Sequence, residues 1–263
     1  MTRRSEPFDP ILPQAKRDEI RARELAAIPW WYSPYGHLAA TTGIGLVVLV
    51  VALFRLHHVR ALELLTVPIT FLFANGFEWR VHRNVLHRRF KPFELIYERH
   101  TPMHHMVYIE GDMCARNPKE WRLVLMPALG ILGAVIVASP FAVGAAYLVT
   151  ANCGWLFLVT ASLYMVLYEV SHLSYHLSPE SFLGRRSLVR VLRRHHARHH
   201  DPRLMQKWNF NVTIPLFDWI HGTIAPADLV ERIERERAAT PASAEASPAS
   251  TPAFTSTSLA SST

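Results

Sequence analysis

Apolar residues run along this chain in long blocks, not at the spacing of a half-buried helix or strand. From Leu123 to Tyr168, 46 consecutive residues carry no formal charge, about twice the ~20 needed to cross a bilayer. Ser139-Pro140, near the middle of that run, predicts a turn dividing it into two spans. Leu38 to Phe54 is a second uncharged run, of 17 residues. The 14 uncharged residues between Glu63 and Glu78, which include Pro68, make the shortest candidate; it must use its flanks, tilt or thin the bilayer. The pattern predicts an all-α integral membrane protein with four transmembrane helices in two hairpins. A soluble helical core cannot accommodate the 46-residue run without unusual size. The first long block begins near residue 38, after a charged segment, so it does not read as a cleaved signal peptide and the first span is expected to be retained.

Between and around the spans the pattern changes. Residues 14–28 place Lys16, Arg17, Arg21 and Arg23 among Ile20, Leu25 and Ile28, which predicts an amphipathic helix on the membrane surface. Trp30, Trp31, Tyr32 and Tyr35 form an aromatic belt before the first span. Residues 80–121 and 171–237 are the two long polar segments, the second ending in the charge-alternating run Glu231 to Arg237. From Ala238 onward the chain is almost entirely Ala, Ser, Thr and Pro with one charge, Glu245, a composition expected to be disordered. The expected organisation is an N-terminal segment (1–35), a membrane-embedded domain (36–225), a charged helical end (226–237) and a tail (238–263).

Charge orients the spans. Half of the 263 residues are hydrophobic and 19% are charged, with 28 Lys and Arg against 21 Asp and Glu. Only Arg55 and Arg60 lie between the first two spans, and the Ser139-Pro140 turn has no cation. The positive-inside rule therefore puts both termini and the central polar segment in the cytoplasm, where the net charge of +7 can also attract anionic headgroups. The two cysteines, Cys114 and Cys153, fall on different sides of the membrane boundary and support neither a disulfide nor a zinc–thiolate site.

The candidate chemistry is histidine. Ten of the fifteen fall in four clusters beside the apolar blocks: His82 and His87; His100, His104 and His105; His172 and His176; His196, His199 and His200. Neutral imidazole suits iron, zinc and copper, and ten donors are too many for one ion and about right for two. A basic, histidine-rich nucleic-acid tract would explain the 195–200 run but not the clusters beside apolar spans, so no nucleic-acid partner is expected. Residues four apart share a helix face, so His172 with His176, and His100 with His104, can each grip one ion. His82 and His87 are five apart and diverge by about 140° on an ideal helix; they need a helix end, a π-type distortion or different metals. An adjacent pair such as His199-His200 can reach two metals from one backbone position. Ligand softness alone allows zinc, iron or manganese. Glu78, Glu169 and Asp201 are candidates to hydrogen-bond a ligand imidazole, the two glutamates also for direct ligation. His37, His57, His58, His195 and His221 are expected not to ligate, although His195 also makes H-x3-H-H with His199 and His200.

Four apolar spans carrying H-x4-H, H-x3-H-H, H-x3-H and H-x2-H-H, the stretch from Arg194 to Asp201, and Asn209 to Thr223 with its Asp218-Trp-Ile-His-Gly-Thr223 ending resemble the fatty acid hydroxylase/sterol desaturase superfamily over roughly residues 36–225. In the middle cluster three residues separate His100 from its pair, where some members have two. The resemblance implies a cytoplasmic helical cap holding a dimetal site of two Fe ions (zinc possible as isolated), O2 as co-substrate, and C–H oxidation of a fatty acyl or sterol-like membrane lipid. Hydroxylation and desaturation are both open. No haem-type domain or nucleotide-binding glycine motif is visible, so electrons are expected from a separate ferredoxin-like or other redox protein. A metal-ion transporter would place its ligands near the bilayer midplane, and a zinc metalloprotease would show H-E-x-x-H; neither pattern occurs.

Overall fold

The computed structural model describes residues 12–239, and among these no β-strand occurs. Most of the tail expected to be disordered lies outside the described residues. Four segments are long and apolar enough to cross a membrane: Pro34–Phe54, Ala61–Leu86, Pro118–Leu148 and Ala151–Tyr175. Their main helices are α2 (Pro34–Phe54), α3 (Thr66–Val81), α7 (Ala128–Leu148) and α8 (Ala151–Tyr175). At about 1.5 Å per residue, the 21-residue α2 and α7 match a hydrocarbon core of about 30 Å. The remaining elements are short or polar: α1 (Gln14–Ala26), α4 (Glu94–Glu98), α5 (His105–Val107), α6 (Trp121–Val124), α9 (Ser187–His199) and α10 (Leu216–Ile220).

The turn between the last two spans differs from the sequence expectation. The helix continues through Pro140, whose lost backbone bond is tolerable in a membrane span. The chain breaks instead at Val149-Thr150, where the Thr150 side chain accepts from Cys153 N and caps α8. The Thr150 hydroxyl also donates to Glu63 at 2.7 Å, while Asn152 pairs with the His57 backbone in both directions. These bonds tie the ends of all four spans together at one pole. At the opposite pole His37 meets Met126 O at 2.9 Å and Tyr35 packs edge-on against Trp121.

Helix α8 is the central element, 44% buried over its most apolar window against 17% for α2. It packs against α2, α3 and α7. A Cβ on Gly154 would fall 2.7 Å from Ala142 O and 2.6 Å from Ala146 Cβ, so only glycine lets α7 lie this close.

Helix α1 forms where the sequence predicts a helix. Its Arg17 and Arg21 are buried. Arg21 donates to Glu120 at 2.8 Å and to Val107 O at 3.1 Å, and both arginines reach Asp112. Lys16 and Arg23 stay exposed. A second compact unit contains α11 (Ala227–Ala239); it retains Ala238 and Ala239 in helix, two residues that composition assigned to the disordered tail.

Candidate metal centre

The ten histidines singled out in the sequence meet at the His37–Met126 pole of the spans. His82, His87, His100, His105 and His199 form one group, and His104, His172, His176, His196 and His200 form the other; all ligand atoms within a group lie within 4.8 Å of one another. His82 and His172 lie inside the terminal turns of their spans, and the other eight lie beyond them.

Two π-helical turns make this partition. Residues His82–Leu86 are π-helical, which brings the five-apart pair His82 and His87 into the same group. Arg99–His104 is also π-helical, so His100 groups with His105. His104 turns to the other group, contrary to the expectation from ideal i,i+4 spacing. The four-apart pairs His172/His176 and His196/His200 do share a group. The adjacent pairs His104-His105 and His199-His200 each split between the groups, so single backbone positions serve both.

Backbone carbonyls orient the rings. Nδ1 of His104, His176, His199 and His200 meets the carbonyls of Leu123, Met113, Trp208 and Tyr108 at 2.6–3.0 Å, and His82 Nδ1 meets Phe210 O. A carbonyl can only accept, so Nδ1 carries the proton and Nε2 keeps its lone pair. These Nε2 atoms converge: His82 with His100 at 2.9 Å, His87 with His199 at 2.9 Å, His196 with His200 at 3.0 Å. Nε2 of His104, His172 and His176 is buried with no hydrogen-bond partner. Burial first, then the neighbouring imidazoles, hold His87, His100, His105, His196 and His199 well below the usual imidazole range, which keeps them in the neutral, ligating form. Packed, orphaned lone pairs of this kind fit metal cations.

The three candidate carboxylates each have partners of their own. Glu78 accepts from Tyr164, the Thr213 hydroxyl and the backbone N–H of Val212 and Thr213, and so anchors the 209–213 loop, not an imidazole. Glu169 accepts from Met126 N at 3.3 Å, and its second oxygen is buried without a partner. Neither belongs to a histidine group. Asp201 takes Arg203 in a two-pronged pair.

The residue that sequence reasoning left without a role is Asp218. It accepts from Phe210 N at 2.9 Å, Asn211 N at 2.7 Å, the Thr223 hydroxyl at 2.7 Å and His195. Burial pushes its pKa up, but the His195 bond and the other donors prevail and hold it below the usual carboxylate value. It thereby fixes the loop whose Phe210 carbonyl orients His82. His195 is thus a partner of Asp218, in neither histidine group. Asn209 begins the loop at φ 59°, a left-handed conformation that asparagine tolerates. A Cβ on Gly76 would lie 2.6 Å from the Phe217 ring, so this glycine lets α3 receive α10 and the loop.

An apolar cavity of about 260 Å³ lies between α3, α7 and α8. His82 and Leu86 line one end and Phe73, Phe141 and Phe157 the other.

The fold and site define a helical, membrane-type protein with two five-histidine groups beside an apolar cavity. The sequence model of the fatty acid hydroxylase family matches residues 67–223, more than half of the chain, and the chain belongs to that family. A solved structure described as "Full length scs7p (only hydroxylase domain visible)" is similar at TM-score 0.50 and 19% identity, over 78% of this chain and 70% of that one; at that identity the likeness is one of fold. No curated protein sequence matches.

Proposed function

We propose that this protein is a membrane di-iron oxygenase that hydroxylates an unactivated C–H bond of a lipid, fatty acyl or sterol-like, with O2 and electrons from a separate redox protein. The observation that carries this reading is that His82, a member of one five-imidazole group, also walls the end of an apolar cavity among the spans. His82, His87, His100, His105 and His199 would hold one iron, and His104, His172, His176, His196 and His200 the other. Five nitrogen donors leave one place free on a six-coordinate ion. When bound, the iron pair supplies the oxidising power that no side chain here has. The chain's own groups do the rest. Backbone carbonyls hold the Nδ1 protons and aim the rings. The apolar walls exclude water and fix which carbon faces His82.

The four spans are read as two hairpins, with the histidine segments as a cap on the cytoplasmic side. The support is charge: Arg55 and Arg60 alone among the 28 Lys and Arg sit in the first inter-span turn. Exposed Arg88, Lys91, Arg185, Arg186 and Arg190 lie on the segments that carry the histidines, which suits an acidic electron donor such as a ferredoxin. The test is metal analysis under reducing conditions, joined to lipid mass spectrometry of cells with and without the chain. Two irons per chain and a product heavier by one oxygen are expected. A loss of two hydrogens would make the protein a desaturase on the same scaffold, and oxidation surviving alanine at both His199 and His200 would sink the oxygenase reading.

A further inference from the structure

The cavity that starts at His82 has a floor. Phe73 of α3, Phe141 of α7 and Phe157 of α8 meet there, with ring centroids 5.0 Å apart for Phe73–Phe141, 6.2 Å for Phe73–Phe157 and 6.3 Å for Phe141–Phe157. Below the rings lies a second cavity of about 590 Å³, and the two share Thr70, Phe73, Phe141 and Phe157 as lining. The lower chamber ends near Arg60 and Glu63 at the opposite pole. The spans thus line two partly open chambers that meet at a layer of three aromatic rings. Helices α3 and α7 each pack on α8 with little backbone contact between them, so the Phe73–Phe141 pair bridges the gap. Both are partly exposed, at 42% and 47%, whereas Phe157 is buried.

We infer that Phe73, Phe141 and Phe157 are the specificity-determining floor of the substrate cavity and limit how far an alkyl chain extends beyond the carbon presented at His82. This rests on the oxygenase reading for the word substrate, but the geometry is independent of it. The depth follows from the helices. Phe73 lies nine residues before His82 on the α3 side, Phe157 eleven before Tyr168 on α8, and Phe141 ten after Ile131 on α7. At about 1.5 Å per residue these give about 14–16 Å. Backbone-like C–C geometry advances about 1.25 Å per bond, so an extended chain places about twelve carbons in that length. A slender, unbranched chain suits a cavity slightly below the ~300 Å³ floor of drug-sized sites; a fused-ring system fills it poorly. If the rings part, the chain gains the lower chamber. Thr66 is seven residues below Phe73, about 10 Å or about eight carbons further.

Two substitutions of opposite sign test this. Phe141→Ala removes the floor's most exposed ring. Ala138→Phe adds a ring one turn nearer His82, raising the floor by about 4.5 Å. Each full-length variant is placed in phosphatidylcholine nanodiscs, and a fluorescent fatty acid is displaced by a homologous series of straight-chain fatty acids. Phe141→Ala should move the tightest-binding length up by about four to eight carbons, and Ala138→Phe should move it down by about four. Metal content measured on the same samples reports on folding, and Ala138→Phe gives a signed answer even if Phe141→Ala does not assemble. Identical length profiles in wild type and metal-replete variants, or no displacement by any length, would overturn the inference. Because binding is read, variants that show the length shifts while the wild-type protein oxidises nothing would overturn the oxygenase reading alone.

Discussion

At the scale of single residues, the histidines sort by which group each ring enters, and their neighbours in sequence do not decide it. His199 and His200 are adjacent but belong to different groups. Replacing either by alanine should therefore empty one site and spare much of the other, so metal analysis should read near one ion per chain instead of two, and the double variant near none. The set of ten was legible in the sequence because it is clustered beside apolar blocks. The partition was not: ideal helical spacing pairs His100 with His104, and only the π turn at Arg99–His104 reverses that. Nor was Asp218 legible, since its four partners come from the loop (Phe210 and Asn211), from Thr223 beyond α10 and from His195 of α9. Asp218→Asn replaces an all-acceptor group by one with a single acceptor oxygen. With hydrogen bonds to charged groups worth about 1.5–3 kcal/mol each, a loss of about 2–4 kcal/mol is expected in thermal unfolding. His82 should loosen with it, because the loop that supplies Phe210 O is no longer pinned.

At the scale of elements, length and charge made the spans readable, while their ends depended on local bonds. The Ser139-Pro140 signal was a reasonable turn, yet a proline inside a membrane helix loses only one bond. Val149-Thr150 wins because Thr150 both caps α8 and reaches Glu63 across the pole. Helix α1 carries a larger stake. Arg21 pairs with buried Glu120, lies 5.3 Å over the Tyr108 ring and holds Val107 O, while the next carbonyl, that of Tyr108, orients His200. Removing one partner of a buried ion pair costs about 3–5 kcal/mol, so Arg21→Ala should destabilise by that order and speed metal loss to a chelator. Arg23→Ala, on the exposed side of the same helix, should change stability by less than about 1 kcal/mol. Equal effects of the two would mean that α1 does not support the histidine groups.

At the scale of the whole molecule, four stretches of chain that are far apart in sequence converge at the histidines. One group draws on residues 82–87, 100–105 and 199, the other on 104, 172–176 and 196–200. Metal bound to both would cross-link the ends of α3 and α8 to the 99–107 segment and α9, whereas α2 and α7 contribute no histidine to either group. Ions that bind only the folded state stabilise it by mass action, about 4 kcal/mol at a thousandfold excess over Kd. Stripping the metal with a chelator in detergent should lower the unfolding temperature and raise amide exchange at 99–107 and along α9, leaving α2 and α7 little changed. Refilling separates architecture from chemistry. Zinc accepts imidazole but has no redox chemistry, so it should restore the unfolding temperature and the exchange protection without restoring lipid oxidation. Iron should restore all three. Exchange that rises uniformly over all four spans when metal is removed would show that the ions hold the bundle itself, α2 and α7 included.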